Sequence, residues 1–339
     1  MTCRVAIIGL GMVAKLHVQA INSLNGFEVY GLFSRDYLKT QDFAKNFATK
    51  AKTFKKFEDL CGDESIDLVL LLTPPNARFD YVHALAKVGK PVIVEKPLER
   101  NFERSQNIVE QGKIHRSPIG VFLQHRKRPS IEVLKKLIDE GRVGAVATVE
   151  VRIPWWRGQD YYDQDGRGTL SRDGGGVLIT QAIHTLDIML LLCGPVKEVQ
   201  GMIYTSSLHK LEAEDFSGAL LNFQSGARGT LMASTTHFPG FKEEIILNCS
   251  KATVNINGAD LKIFYHDGKI EHLESGSQTG SGSDPMDFSY AWHAGVLDQF
   301  WNEFTSKQEI QISAESALPV HRLIDAIIHS SELGKKVTI

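Results

Sequence analysis

The sequence predicts an α/β chain in two parts: a parallel, doubly wound sheet in the first third, then an α+β domain built on antiparallel strands. Three observations carry this. Short continuous apolar runs, Val5 to Ile8, Leu68 to Leu72 and Val92 to Val94, alternate with helical patterns, as expected of strands covered by helices on both faces. From Val146 onward, apolar and polar residues alternate over short segments with short connections, the pattern of an antiparallel meander. The chain has 339 residues, and at roughly 150 residues per domain this fits two domains. The boundary is placed between residues 124 and 125, giving domains 1–124 and 125–339, with the closing helix free to pack back on the first.

The first element, RVAII, runs into Gly9 and Gly11, and a helical pattern follows with Ala14 in the third small position of G-x-G-x-x-A. Glycine at 9 permits a tight turn, glycine at 11 lets a pyrophosphate approach the backbone, and the helix N-terminus supplies amides to the phosphates. Gly9, Gly11, Met12 and Val13 are therefore candidate cofactor contacts. The second strand, FEVYGLF, leads to Ser34-Arg35-Asp36 where the adenosine ribose is usually held. A hydroxyl and a guanidinium there would hold a 2′-phosphate, so NADP is expected ahead of NAD. The alternative is that Arg35 stacks on adenine or points to solvent while Asp36 caps the next helix.

Two further strands end at the same edge of the sheet, one in Thr73-Pro74-Pro75-Asn76 and one in Glu95-Lys96-Pro97. Ligands of open α/β sheets bind at this edge, which makes Thr73, Pro74, Asn76, Glu95 and Lys96 candidates. Proline keeps the preceding lysine out of the helical region. Lys96 is thus held at a strand terminus, where partial desolvation would lower its pKa and let it bond a reacting oxygen.

In the second domain PSIEVLKKLIDEG reads as a helix closed by Gly141, and strands follow at VATVEVRI, VQGMIY, FSGALLNF and ARGTLMAST. EEIILNCS and ATVNINGAD form a hairpin, and LKIFYHDGKIEHL a second one turning at Asp267-Gly268. The segment around 280–285, GSGSDP, is a loop by composition. HAGVLDQFWNEF and ESALPVHRLIDAIIHSSEL are helices, the latter ended by Gly334.

Between the strands stands DGGGVLITQAIHTLDIMLLLCG, residues 173–194. On a helix starting near Val177, Thr180, His184 and Asp187 form one polar stripe. A buried histidine taken alone is a satisfied core group. Together with a dinucleotide turn and a strand-end lysine, the stripe points to proton transfer, and Gly174 to Gly176 would let substrate come close to the helix start. The preceding segment, IPWWRGQDYYDQDGRGTLSR, offers Trp156 and Tyr162 to stack on a sugar and Arg157 and Arg167 to bind hydroxyls or anions. The opposite reading is that these aromatics anchor a long loop. His125 and His293 are expected to be structural.

Composition narrows the partners. Hydrophobic residues make up 42% and charged residues 23%, with a net charge of -2, so there is no polyelectrolyte signature and no nucleic-acid partner is expected. The four cysteines, Cys3, Cys61, Cys193 and Cys249, lack metal-type spacing or a paired framework, and no metal is expected. The N-terminus has no signal-peptide pattern and no apolar run approaches the ~20 residues of a membrane span. A cytoplasmic protein without membrane attachment is expected.

These motifs, G-x-G-x-x-A at 9–14, TPPNAR at 73–78, Glu95-Lys96-Pro97, and GGG followed by His184 and Asp187, resemble those of the Gfo/Idh/MocA oxidoreductase family over essentially the whole chain. The resemblance implies a Rossmann domain and a C-terminal domain with a large, open, mostly antiparallel sheet, through which family members form dimers or tetramers. It implies NAD(P)-dependent hydride transfer at a carbinol or carbonyl carbon of a sugar, polyol or sugar acid, with Lys96 and His184 beside that carbon. One position departs from the pattern: where many members have an aspartate four residues before the histidine, this chain has Thr180, which can bond a substrate hydroxyl but cannot act as a base. Proton transfer then falls to His184 and Lys96, with Asp187 orienting His184 or serving as a structural partner. A nucleotide-sugar 3-dehydrogenase, a non-catalytic NAD(P)-binding sensor and a glycoside-cleaving enzyme that oxidises transiently are the other readings.

Overall fold

The structure, a computed structural model, describes residues 2–275 and 289–339 and divides into two compact units, Met1–Gln124 with Tyr290–Leu318, and His125–Ser289 with Pro319–Ile339. The GSGSDP segment lies outside the described residues.

The first unit alternates strand and helix as its apolar runs require: β1 (Cys3–Ile8), α1 (Ala14–Asn22), β2 (Phe27–Phe33), α2 (Tyr37–Phe47), β3 (Lys52–Thr53), α3 (Phe57–Cys61), β4 (Leu68–Leu71), α4 (Arg78–Lys87), β5 (Val92–Val94), α5 (Phe102–His115) and β6 (Ile119–Val121). The six strands are parallel and ordered β3-β2-β1-β4-β5-β6, the doubly wound order of dinucleotide-binding domains. Strands β1, β4 and β5 are buried along nearly their whole length, which is why they read as continuous apolar runs and not as alternations.

The second unit contains α6 (Pro129–Asp139), β7 (Val146–Pro154), α7 (Gln159–Tyr162), α8 (Ile183–Cys193), β8 (Val196–Tyr204), β9 (Phe216–Phe223), β10 (Arg228–Ser234), β11 (Glu244–Cys249), β12 (Ala252–Asn257), β13 (Asp260–Tyr265) and β14 (Ile270–Leu273). The chain then enters the first unit as α9 (Ala291–Thr305) and ends in the second as α10 (Leu318–Leu333) and β15 (Val337–Thr338). Its nine-stranded sheet runs β14-β13-β12-β11-β7-β10-β9-β8-β15 and is antiparallel except where β7 and β10 run parallel. Burial alternates along β7, β11, β12 and β13. One face is therefore packed under α6, α8 and α10, whose Leu134, Leu186 and Ile327 join its core, and the other is exposed.

The sequence boundaries need one correction. Residues 290–318, assigned above to the second domain, belong to the first unit. Ala294, Val296, Leu297 and Phe300 of α9 complete the apolar layer that also holds Val18 and Ile21 of α1. Beyond α9 the backbone pairs with β6, Ala314 donating to Ile119 at 2.7 Å and Val121 to Ile312 at 3.1 Å. α9 with this segment thus belongs to the first unit, whereas α10 from Pro319 onward belongs to the second.

All four cysteines are free thiols, and burial pushes Cys61 and Cys249 up to about 11 and Cys193 up to about 12. None is a nucleophile near neutral pH. Among the described residues no helix is long and apolar enough to cross a membrane.

Candidate active site

In the first unit the site begins where β1 ends. Gly9 donates to the Phe33 carbonyl at 2.9 Å and has φ +95°, and a Cβ added there would come within 2.9 Å of the Thr73 amide nitrogen. The turn therefore needs glycine both for its dihedral and for the close approach of the β4 end. Gly11 differs, because a Cβ on it would meet nothing within 4 Å. Helix α1 opens directly after it with Val13 as a non-bonding cap and no acidic residue in the first turn, so its leading amides and their partial positive charge are unanswered by any side chain. Thr73 Oγ1, at the neighbouring strand end, is a buried hydroxyl without a hydrogen-bond partner. Open backbone, an uncapped helix start and an orphan hydroxyl fit the pyrophosphate of a dinucleotide.

At the end of β2 the Ser34 hydroxyl is turned inward, donating to the Asp36 carbonyl at 2.7 Å and lying 2.8 Å from Thr40 Oγ1. The Asp36 carboxylate caps α2 by accepting the Lys39 amide at 3.1 Å, as the alternative reading had it. Arg35 is exposed.

The β5 end is the most elaborately held part of this edge. Arg78, 2% exposed, donates to the Thr73 carbonyl at 2.9 Å and to the carbonyls of Glu95 and Pro97, tying the two strand ends together. Glu95 accepts the Lys96 amide at 2.8 Å and a hydrogen bond from His17 at 2.9 Å. Burial would raise the Glu95 carboxyl, but the bond from His17 and the charges of His17, His293 and Lys96 outweigh it and hold the carboxyl down at about 2. Lys96 itself is half-buried and Asn76 exposed.

In the second unit His184 is 4% exposed and stacks on His125, ring centroids 4.1 Å apart. His125, expected to be merely structural, is thus the nearest imidazole neighbour of the candidate base. Its Nδ1 lies 2.7 Å from Arg128 Nη2, and Arg128 pairs with Glu243 at 2.9 Å. The Asp187 carboxylate takes a two-pronged contact from Arg126 at 2.8 and 2.6 Å.

The helix carrying His184 also departs from expectation. Leu178–Ala182 is a π-helical turn and α8 begins at Ile183, so Thr180, His184 and Asp187 do not share a simple α-helical stripe. Glu214 holds the backbone that leads into this turn. Its carboxylate accepts the amides of Gly176 at 2.9 Å and Leu178 at 3.0 Å, and its carbonyl accepts Val177 at 2.8 Å. A Cβ on Gly176 would stand 1.7 Å from that carbonyl oxygen. Gly176 therefore makes room for the Glu214 backbone. Burial raises the Glu214 carboxyl despite these amides. The Thr180 hydroxyl bonds the Gly176 carbonyl at 2.6 Å.

The aromatic segment is largely built in. Trp155 and Arg157 donate their amides to Ser234 and Thr235, laying this stretch along the end of β10. Arg157 and Tyr162 are 3% and 7% exposed, Arg157 lying over Trp155 and Tyr161, and Tyr162 bonding Thr235 at 2.7 Å. These two substrate candidates are thus anchors of the loop. Arg167 lies 3.9 Å from Asp173 and over Tyr161, while Trp156 packs on His209 and Phe238 and stays partly accessible.

His17, Arg78 and Glu214 were missed. His17 had a local signal, being the one polar side chain on the buried face of α1; Arg78 lay unread inside TPPNAR, and nothing near Glu214 announces its partner.

Comparison with known proteins agrees with this architecture. Residues 3–121 match the oxidoreductase family with an NAD-binding Rossmann fold, and residues 131–255 match the GFO/IDH/MocA C-terminal domain. An uncharacterized oxidoreductase of Schizosaccharomyces pombe is 25% identical over 65% of this chain, the match spanning 60% of that protein. The scyllo-inositol 2-dehydrogenase (NADP(+)) of Bacillus subtilis is 21% identical over 100% of this chain and 96% of its own length. The WlbA dehydrogenase of Bordetella pertussis, solved with NADH and UDP-GlcNAcA, superimposes with a TM-score of 0.85 at 24% identity, covering 100% of this chain and 98% of that one.

Proposed function

Because this chain belongs to the Gfo/Idh/MocA family of NAD-binding oxidoreductases, we propose that it moves hydride between a nicotinamide cofactor and a carbinol or carbonyl carbon of a sugar, polyol or sugar acid. The observation that carries the reading is the pairing of an open, uncapped dinucleotide turn at Gly11, after β1, with a lysine fastened at the end of β5, two strands along the same sheet edge. The relatives named for scyllo-inositol and solved with a nucleotide-sugar acid support a carbohydrate substrate, although fold alone does not choose one.

When bound, NAD(P) supplies the carbon that takes or gives hydride. The backbone of Gly9, Gly11, Met12 and Val13 with the α1 amides would hold its phosphates, Thr73, Pro74, Asn76 and Glu95 would flank it, and the exposed Arg35, next to the inward-turned Ser34 hydroxyl, would meet the adenosine ribose. Lys96 and His184 share the proton of the reacting oxygen, accepting it in oxidation and returning it in reduction. Thr180, Trp156 and Arg167 remain the substrate contacts of this reading. The nucleotide-sugar alternative needs arginines for a diphosphate, and the engagement of Arg157, Arg167 and Arg172 with Trp155, Tyr161 and Asp173 weighs against it. Met202, Tyr204 and Leu220, exposed on the outer face of β8 and β9, support a homodimer or homotetramer through that sheet. The reduced thiols support a cytoplasmic setting.

The test is a screen of sugars, inositols and sugar acids for change in nicotinamide absorbance, followed by Lys96→Met and His184→Asn. Each variant is expected to lose about 10²- to 10⁴-fold in turnover while still binding NADH. Near-normal turnover of either removes that residue from the mechanism, and no redox change with any carbohydrate favours the sensor.

A further inference from the structure

Glu95, at the end of β5, is met by two helices at its carboxylate and by a third at its backbone carbonyl. His17 on α1 donates to its Oε1 at 2.9 Å, and His293, brought by α9 on the returning segment, places Nε2 3.8 Å from the same oxygen. Its Oε2 accepts the Lys96 amide at 2.8 Å. On the main-chain side Arg78 of α4 donates to the carbonyls of Glu95 and Pro97. The two imidazoles are 5.0 Å apart between centroids, with Phe122 packed 4.5 Å from His17. His17 Nδ1 has no hydrogen-bond partner.

Two imidazoles and a carboxylate are also a donor set for a divalent ion. Here the side chains of His17, His293 and Glu95 are 0%, 1% and 8% exposed, and the second carboxylate oxygen is committed to the Lys96 amide. An ion would need a fourth donor and a way in, so a clamp made of the His17 hydrogen bond and the close approach of His293 accounts better for the cluster.

We propose that Glu95, clamped by His17 and His293, is a positioning residue that fixes the peptide carrying Lys96 and so sets where the lysine side chain stands at the end of β5. The proposal rests on the reading of Lys96 as a residue that touches substrate. It also gives α9 a role: the chain returns to the first unit and delivers His293 to the carboxylate that holds Lys96.

The test compares wild type with Glu95→Gln, His17→Leu and His17→Gln, the last keeping an N–H donor that leucine lacks. Exchange of the Lys96 amide is followed by NMR on lysine-labelled protein, NADH affinity by fluorescence, and turnover with scyllo-inositol or the active carbohydrate from the screen. Glu95→Gln and His17→Leu are expected to speed exchange at Lys96 about 10-fold and to lower kcat about 10- to 100-fold with KM within about threefold of wild type, and His17→Leu is expected to keep NADH affinity within about threefold as well. His17→Gln should stay close to wild type, and Glu95→Gln should add nothing to the loss already caused by Lys96→Met. Equal behaviour of leucine and glutamine at 17, or unchanged Lys96 exchange in Glu95→Gln, would overturn the proposal and leave a packing role. So would a stoichiometric metal in purified wild type that is absent from His17→Gln. Normal turnover of Lys96→Met would instead sink the reading of Lys96, and the exchange measurement would still decide whether Glu95 positions its peptide.

Discussion

After β1, Gly9 to Gly11 lead into a helix whose N-terminus has no side-chain cap and no acidic residue in its first turn, whereas after Asp173, Gly174 to Gly176 lead into a helix whose first amides are already held by the Glu214 carboxylate. In sequence the two stretches look alike: glycines, then a helix with an apolar face. In space a Cβ on Gly11 would meet nothing within 4 Å, and one on Gly176 would lie 1.7 Å from the Glu214 carbonyl oxygen. One helix start leaves its partial positive charge for an anion from outside, and the other answers it with an anion of the same chain. Glycine spacing therefore says that something approaches the backbone closely; it does not say whether that something is ligand or protein.

The strongest way to break this comparison is to add a methyl group to each turn. Gly176→Ala is expected to cost about 3 kcal/mol or more, because the obstructing atoms are backbone that cannot swing aside. At roughly 2–4 °C per kcal/mol for a domain of this size the melting temperature should fall by about 10 °C. Gly11→Ala should melt within about 2 °C of wild type, since exposed substitutions of this kind shift stability by only about 0.5 kcal/mol. Gly11→Asp, by the same geometry, should leave melting nearly unchanged yet weaken NADH binding about 100-fold, because it sets a carboxylate where a phosphate would lie. Thermal scans and NADH fluorescence titration check both. Unchanged NADH affinity in Gly11→Asp would mean the open turn is not where the cofactor's phosphates go.

Much of the first unit was legible because its signals are local. Parallel strands buried on both faces must be apolar throughout, so Val5 to Ile8 and Val92 to Val94 announce themselves, and the glycine turn sits where β1 ends. The Asp267-Gly268 hairpin was legible for the same reason, Gly268 having φ +92°. What escaped was long-range. Glu214 reaches Gly176 across 38 positions and Glu95 meets His17 across 78, and no window of sequence contains both partners. His125 lies on a short turn after β6 with no periodicity to tie it to His184, and α9 carries an apolar face that would suit either unit.

A pair of buried glutamates sharpens the comparison by their pH signs. Glu95 is held below the ordinary carboxyl value of 4.5, at about 2, whereas Glu214 is raised above it. A depressed carboxyl contributes stability above its unfolded pKa and loses it as pH falls, so the advantage of wild type over Glu95→Gln should shrink between about pH 4.5 and 2, by on the order of 3 kcal/mol at full extent. A raised carboxyl behaves in the opposite sense. Its contribution is complete below the unfolded pKa and is lost as pH rises through the folded one, so wild type should gain on Glu214→Gln as pH is lowered from neutral toward the ordinary carboxyl range. Urea denaturation across pH measures both, and slopes of equal sign would show that one of the two carboxylates is held differently from this description.

The smallest effect tests how the first turn divides its work with the β2 end. Phosphates held at α1 would be common to NADH and NADPH, so the turn could not choose between them. At the β2 end the Ser34 hydroxyl is spent on the Asp36 carbonyl and Thr40, and the Asp36 carboxylate on the Lys39 amide. That leaves the exposed Arg35 as the group to meet a 2′-phosphate, through a charge-assisted bond worth about 1.5–3 kcal/mol. Arg35→Ala should weaken NADPH about 10-fold and NADH less than about twofold. Equal losses for both would place the guanidinium on the adenine ring, which the two cofactors share. A wild type that prefers NADH by a large factor would mean that the Asp36 charge, although bound to its helix, still repels the extra phosphate more than Arg35 attracts it.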